Sequence, residues 1–193
     1  MNPLASATSQ PRALLVLEDG TTFEGRCCGA SGETFGEIVF NTSMTGYQEI
    51  ISDPSYAGQI VTLTYPQVGN YGIDPAVMQR DVLHLRGFVV HDMCYEPSNW
   101  TSKQSLPELR QENGLVAIEG IDTRALTMHL RDFGAQKAAI STEDLDPAHL
   151  LARVQASPNI SEHNYVPDVS VDAPHVVPAT SKKRFNVVAY DCG

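Results

Sequence analysis

The sequence lacks the basic residues that nucleic-acid-binding proteins need. Only 13 Lys and Arg stand against 23 Asp and Glu, which gives the 193 residues a formal net charge of −10. An acidic surface repels phosphate backbones, so we expect no nucleic acid among the partners. The same charge is compatible with a basic protein partner and with a surface that is simply well solvated.

Long apolar runs and a cysteine framework are also missing. No stretch approaches the ~18 apolar residues of a transmembrane helix, so we expect no membrane contact. Residues 1–12 have no apolar centre of a signal peptide. The four cysteines, Cys27, Cys28, Cys94 and Cys192, include no C-x-x-C pair, which argues against a zinc site and a disulfide framework. Reduced thiols in a cytoplasmic protein are the simplest interpretation.

Catalytic and ligand-binding signatures are absent as well. Neither G-x-S-x-G nor G-x-C-x-G occurs, and Tyr190 occupies the position where an elbow at Cys192 requires glycine, so a structural thiol is the better interpretation. The six histidines form no H-E-x-x-H pattern, and His91 is better explained as a hydrogen-bonded or exposed strand residue. Phosphate-binding glycine patterns are missing too. We therefore predict no catalytic residue, metal ligand or cofactor on this chain.

What the sequence does contain is a succession of short strands in its first half, within a chain that is 42% hydrophobic. The strands are predicted over residues 13–17, 22–27, 36–41, 59–65 and 86–92. The Asp19-Gly20 step between the first two predicts a hairpin. Loops are expected over 29–36 and 66–81. The quartet Thr45–Gln48 matches a capping box before a short helix that ends ahead of Pro54.

Strands alternate with helices in the second half, and two short strands are predicted over 115–118 and 136–140. Ser105 to Glu108 forms another capping box, whose helix stops at Gly114. Asp122 can cap a helix through Phe133, and Asp146 starts one through about residue 155. The apolar face of the middle helix is predicted to comprise Ile121, Ala125, Leu126, Leu130 and Phe133. This order indicates a mixed α/β domain with a hairpin-rich half.

Changes in composition predict the organisation of the chain. Residues 1–12 are expected to be a flexible tail and 13–156 a folded domain. Prolines scattered among polar residues over 157–184 predict an extended linker. Residues 185–193 begin with a new apolar strand, Phe185–Tyr190. Because a buried strand needs a surface to pack on, we expect it to be the first strand of a truncated second domain.

Several stretches, taken in order, resemble one family. They are Gly36–Glu49 (GEIVFNTSMTGYQE), Asp53–Tyr56 (DPSY), Gln59–Pro66 (QIVTLTYP), Gly69–Gly72 (GNYG), Ile121–Arg124 (IDTR) and Gly134–Gln136 (GAQ). From about residue 13 to 193, the chain resembles the small, glutamine-handling subunit of carbamoyl phosphate synthetases. Its last apolar run resembles the opening strand of a class I glutamine amidotransferase domain.

The resemblance implies a swivelling β/β/α-type fold for the first domain and a division of labour between two subunits. In this family the small subunit hydrolyses glutamine to ammonia at a Cys–His–Glu site in the amidotransferase domain. The large subunit combines the ammonia with bicarbonate and ATP into carbamoyl phosphate, for arginine and pyrimidine biosynthesis. The implied partners are a large subunit, in a heterodimer, and L-glutamine; ATP and a divalent metal are expected on the large subunit. This segment alone is expected to be inactive.

The resemblance also assigns a role to Ser55. In the family, the serine of the D-P-S-Y stretch contacts bound glutamine. From the residues alone, a turn serine that bonds its own backbone is the better interpretation, whereas the resemblance favours ligand contact. A non-catalytic interaction module of the same fold is the alternative function. A free-standing serine hydrolase using Ser55 lacks the required elbow.

Overall fold

The apolar, β-branched runs of the sequence pair into a closed mixed sheet. The structure is a computed structural model and describes residues 10–191. Its strands are β1 (Arg12–Leu17), β2 (Thr22–Cys27), β3 (Glu33–Asn41), β4 (Gln59–Leu63), β5 (Gln67–Val68), β6 (Gly87–Val89), β7 (Asp92–Met93), β8 (Val116–Glu119) and β9 (Gln136–Ser141). Seven of them close a barrel in the order β1-β2-β8-β6-β4-β3-β9, while β5 and β7 pair separately.

Residues 10–191 also form five α-helices and three short 3-10 turns. The helices are α1 (Tyr47–Ser52), α2 (Leu106–Glu112), α3 (Thr123–Phe133), α4 (Pro147–Ala156) and α5 (Val166–Val169). The 3-10 turns are Pro54–Tyr56, Pro75–Val77 and Ile160–Glu162. Within residues 10–191, none of the helices has the length and apolar character needed to cross a bilayer.

The direction of the strands divides the barrel into two parts. Strands β3, β4, β6 and β8 run parallel to one another. The β1–β2 hairpin and β9 run antiparallel to their neighbours and complete the circle. The carboxyl ends of four adjacent parallel strands therefore meet at one edge of the barrel.

Alternation along the strands produces apolar layers on both faces of the sheet. Leu15 and Leu17 belong to the cluster that includes Ile60 and Ile140, whereas Leu14 and Val16 pack under α4. A third cluster lies beneath α1 and α2 and contains Ile51, Val61, Phe88, Val90 and Leu106. Each fully buried side chain of this kind stabilises the fold by roughly 1.5–3 kcal/mol.

Most predicted elements are confirmed. The hairpin forms at the Asp-Gly turn with the expected strand limits. The Ser105 capping box is complete, because Glu108 N donates to Ser105 Oγ and the Glu108 carboxylate accepts from Ser105 N. Asp122 caps α3 by accepting from Ala125 N at 2.8 Å, and Gly134 follows the helix. The mixed α/β class is therefore correct.

The predicted capping box at Thr45 is wrong. The N-cap of α1 is Gly46, at φ 88° and without a side-chain cap bond. Gln48 is buried and bonds to Asp74 instead: Asp74 N donates to Gln48 Oε1 at 2.9 Å, and Gln48 Nε2 donates to Asp74 O. The Gln48 side chain is thus used in a long-range hydrogen bond and is not available for the capping box.

Several predicted boundaries shift because pairing extends or shortens strands. The predicted loop 29–36 is partly strand, since β3 starts at Glu33 opposite Ser141 of β9. The predicted strand 59–65 ends at Leu63, and 86–92 divides into β6 and β7. In α3, Leu126 and Leu130 are buried as predicted, but Ala125 and Phe133 are exposed. The Phe133 ring contacts His129 on the same helix, at 4.7 Å between centroids.

The part of the chain after α4 is less regular. The predicted linker, 157–184, contains the Ile160–Glu162 turn and α5. The predicted strand Phe185–Tyr190 is not formed: its side chains are exposed and it pairs with no strand within residues 10–191. A strand requires a neighbour to receive its backbone hydrogen bonds. Residues 1–9 and 192–193, which include most of the predicted tail and Cys192, lie outside the described residues.

Replacing Gly25 by alanine should weaken the closure of the barrel. A Cβ at Gly25 would lie 2.3 Å from Glu119 O and 2.8 Å from the Ile118 side chain, both in β8. Overpacking of this kind costs roughly 1–3 kcal/mol, so Gly25→Ala should lower the urea midpoint accordingly. Thr22→Ala, at an exposed position of the same strand, is the control. Equal midpoints for the two variants would contradict this account of the β2–β8 junction.

Candidate functional site

Ser55 lies in the 3-10 turn Pro54–Tyr56, between α1 and β4. Asp53 holds the turn, since its Oδ1 accepts from Ser55 N at 2.8 Å, and Pro54 is buried. The Ser55 side chain is exposed, and its hydroxyl bonds to no other described residue. The hydroxyl is thus presented on a fixed turn without being used by the turn's own backbone.

The loop after β3 is tied to the same turn. Asn41 ends β3, and its amide nitrogen donates to the Tyr56 hydroxyl at 3.0 Å. Asn41 Oδ1 also accepts from Ser43 N at 2.8 Å, which turns the chain into the following loop. The most specific motif of the sequence and the D-P-S-Y stretch therefore meet in space through one asparagine and one tyrosine.

A pair of tyrosines fixes the start of α1 against the GNYG loop. Tyr47 and Tyr71 stack with ring centroids 4.0 Å apart. Tyr47 donates its hydroxyl to Gly72 O at 2.7 Å, and the Tyr71 hydroxyl accepts from Gly46 N at 2.9 Å. Burial, together with the neighbouring Tyr71 hydroxyl, raises the pKa of Tyr47 far above its usual value. Tyr47 therefore acts as a neutral hydrogen-bond donor at any physiological pH.

A cleft of about 200 Å³ opens beside this tyrosine pair. Ser43, Thr45 and Asn70 contribute polar groups to it, and Met44 and Tyr65 are exposed at its rim. Trp100 follows Asn99, whose Nδ2 donates to Tyr71 O at 3.3 Å. The Trp100 side chain is 92% exposed. An exposed tryptophan on a hydrogen-bonded loop is typical of an interface residue.

The segment after α4 returns to the Ser55 region at two points. The Tyr165 ring packs so closely on Gly58 that a Cβ there would lie 2.4 Å from it. The Arg80 guanidinium donates to both carboxylate oxygens of Asp191, at 2.8 and 3.0 Å. Gln79, next to Arg80, donates its N–H to Ser52 Oγ at 3.0 Å. The last described residues are therefore linked to the end of α1, close in sequence to Ser55.

A larger cavity, of about 610 Å³, lies where the four parallel strands end. Thr42, Thr64, His91 and Asp122 line it, each just after a different parallel strand. Ser55 does not line this cavity. The larger cavity is therefore a second feature, separate from the Ser55 turn.

The described residues contain three free cysteines, of which Cys94 alone is partly exposed. Burial raises the pKa of the Cys28 thiol to about 11, and Cys27 is buried as well. No group of three or more His, Cys, Asp or Glu within 10–191 is arranged to hold a metal ion. His91 is exposed, and its Nδ1 lies 2.8 Å from Ile121 O, so the prediction of a hydrogen-bonded or exposed histidine is confirmed.

Sequence reasoning named Ser55 but missed the residues that hold it. Asn41 and Tyr56 both fall within the quoted motifs, yet nothing in their spacing predicts that they bond. The larger cavity had a readable signal: polar residues follow several predicted strands. That signal becomes informative only once the strands are known to be parallel and adjacent.

Comparison with known proteins gives a consistent result. Residues 15–140 match the sequence profile of "Carbamoyl-phosphate synthase small chain, CPSase domain". The carbamoyl phosphate synthase small chain of Syntrophotalea carbinolica is 46% identical over an alignment of 194 positions, which covers 94% of this chain and 52% of that protein. Its counterpart in Nitratidesulfovibrio vulgaris is 52% identical over 164 residues (85% and 44%), and that of Thermotoga maritima 49% over 182 (94% and 46%). The chain spans about half the length of the curated relatives it matches.

Asp53→Ala should loosen the Ser55 turn. The variant removes the oxygen that accepts from Ser55 N, a loss that costs about 1 kcal/mol at comparable capping positions. Asp53→Asn keeps an acceptor at the same place and should retain most of the stability. Urea unfolding of the three proteins measures the difference. A loss in Asp53→Asn as large as that in Asp53→Ala would show that the carboxylate charge, and not the acceptor, matters.

Proposed function

The chain belongs to the carbamoyl-phosphate synthase small chain family, and on that basis we propose that it docks a synthase large subunit and supplies one wall of a glutamine site. The complete assembly would hydrolyse glutamine and pass the ammonia to the large subunit. There it would react with bicarbonate and ATP to give carbamoyl phosphate for arginine and pyrimidine biosynthesis. ATP and the divalent metal would be held by the large subunit.

The observation that carries the glutamine part of the proposal is the unused hydroxyl of Ser55. A serine hydroxyl can donate one hydrogen bond and accept others, so it can meet either an amino group or a carboxylate of glutamine. Asp53 and the buried Pro54 fix its position before any ligand arrives. A fixed contact loses less entropy on binding than one on a mobile loop.

The segment after α4 supports a site shared with a following domain. Asp191 lies at the end of the predicted strand 185–190 and is bonded to Arg80, next to the residue that contacts α1. We propose that 157–184 is the linker and that 185–193 begins the amidotransferase domain. The reactive thiol would belong to that domain, since the buried Cys27 and Cys28 are unsuited to the role.

Chemistry gives a reason for a tight contact with the large subunit. Ammonia released into water is protonated and is no longer a nucleophile, so its path between subunits must exclude water. Met44 and Tyr65 are exposed at the cleft, and Trp100 is exposed next to Asn99, which bonds to Tyr71 O. Such side chains provide most of the binding energy when an interface covers them. The free cysteines fit the reducing cytoplasm in which we propose that the assembly works.

Ser55→Ala in the complete two-subunit enzyme should raise the KM for glutamine by about 2- to 10-fold, the equivalent of one neutral hydrogen bond. Ammonia-dependent carbamoyl phosphate synthesis should stay unchanged. Ser161→Ala is the matched control, because Ser161 is an exposed serine in the middle of another 3-10 turn. An equal loss of glutamine- and ammonia-dependent activity would refute a role in glutamine binding.

Trp100→Ala should weaken assembly with the large subunit, by roughly 30-fold if Trp100 is a binding hot spot worth about 2 kcal/mol. Phe133→Ala, at another exposed aromatic residue, should leave the affinity unchanged. Analytical ultracentrifugation or calorimetry with the purified large subunit measures both. Failure of the wild-type chain to bind any large subunit would instead favour the alternative, a non-catalytic interaction module of the same fold.

A further inference from the structure

The larger cavity has the position of a ligand site in a parallel sheet. Its residues Thr42, Thr64, His91 and Asp122 follow β3, β4, β6 and β8, so every one of the adjacent parallel strands contributes to it. Ligands of parallel sheets, whether open or closed into a barrel, bind beyond the carboxyl ends of the strands, where the loops are free to carry function. The volume of about 610 Å³ falls within the range of small-molecule pockets.

Positive charge converges on this cavity although the chain as a whole is acidic. Arg124 and Arg131 line it from α3, and their spacing of seven residues places them on the same face of the helix, with Thr127 between them. Among residues 10–191, Arg124 forms no ion pair. Within the same residues, Arg131 forms one ion pair, with its exposed neighbour Asp132 at 2.9 Å. An ion pair between two exposed side chains is weak.

The carboxylate among the residues that line the cavity already accepts a backbone hydrogen bond. Asp122 Oδ1 accepts from Ala125 N at 2.8 Å and caps α3. His91 adds an imidazole, whose Nδ1 donates to Ile121 O at 2.8 Å. This assignment follows because a carbonyl oxygen can only accept. The remaining ring nitrogen, Nε2, is left available for a further hydrogen bond. The pattern of two guanidinium groups and one committed carboxylate favours an anion over a metal cation.

One buried hydroxyl of β4, two residues before the cavity residue Thr64, has no partner among the described residues. Thr62 lies in β4, one residue before the end of the strand, and Thr64 follows the strand. Thr62 is completely buried, and within the described residues its hydroxyl has no hydrogen-bond partner. A native structure rarely leaves such a group unsatisfied. A water or a polar ligand atom that reached this hydroxyl would provide the missing bond.

We propose that this cavity binds a small organic anion: a carboxylate or phosphate group held by Arg124 and Arg131, attached to a compact apolar body. Pro66, Met128 and the methyl groups of the threonines supply the apolar part of the lining. Apolar walls with a few convergent polar groups are the usual composition of a small-molecule site. The site is separate from the glutamine contact at Ser55 and does not depend on it.

The test uses the 193-residue chain with phenyl phosphate and benzoate as anionic probes and phenol as the neutral probe of similar size. Calorimetry or NMR titration should give saturable binding of at least one anion, about tenfold tighter than that of phenol. Tighter binding of phenyl phosphate assigns a phosphate ligand, and tighter binding of benzoate a carboxylate ligand. Either result supports the site.

Substitutions then locate the binding. Arg124→Gln should weaken the anion at least about tenfold, and Arg124→Lys should restore part of the loss because the charge remains. Arg12→Gln is the control, since Arg12 is also exposed but lies on β1. Circular dichroism checks that each variant is folded. The proposal is overturned if neither anion binds saturably up to about 10 mM, if phenol binds as tightly, or if Arg124→Gln changes nothing.

Discussion

The fold depends on β9 lying between β1 and β3. Through β9, the antiparallel hairpin and the parallel strands become one closed sheet, with Leu15 opposite Ile140 on one side and Thr34 opposite Ile140 on the other. In a closed sheet every strand has a neighbour on both sides, so the barrel has no edge strand that could pair with another chain along its whole length. The closure is completed at the β2–β8 junction, where only the two pairs Arg26–Glu119 and Cys27–Ile118 are in register.

Closure also decides where function can lie. Since four parallel strands are adjacent, their carboxyl ends gather into one edge, and the residues that follow them share a cavity. Ser55 precedes β4, whereas Thr64 follows it. The Ser55 turn therefore lies before the start of β4, and the cavity lies after its end. One sheet can in this way hold two sites that do not share residues.

Local sequence motifs predicted the structure correctly where residues close to one another in the sequence determine it. The Asp-Gly hairpin, the Ser105 capping box and the caps of α3 are examples, since each depends on residues within a few positions of one another. They failed where distant residues compete. Gln48 is taken from its capping box by Asp74, and β3 is lengthened by its pairing with β9.

The candidate sites follow the same division. Ser55 was reached through a resemblance of motifs, and the structure adds what motifs cannot contain: the Asn41–Tyr56 bond that ties two motifs together. The predicted strand 185–190 has the composition of a strand but no partner within residues 10–191, and composition alone cannot supply one. Phe133 lies at the helical spacing of the apolar face of α3 and is still exposed. Helical spacing identifies the face of a helix that is apolar, but not how far along the helix other elements pack against that face.

Charge raises a final question, namely how an anion would approach a chain of net charge −10. At physiological ionic strength the screening length is about 8 Å, so remote carboxylates contribute little to the potential in a cavity. Many of them are also paired: Glu33 with Arg153, and Glu18 with Lys137. The local groups then decide. At the cavity these are Arg124 and Arg131 against Asp122, which caps its helix, and Asp132, which pairs with Arg131, so Arg124 carries the charge without an ion pair among residues 10–191. The overall acidity and a local anion site are therefore compatible. Added salt should weaken anion binding only modestly, because it screens the attraction of two exposed guanidinium groups.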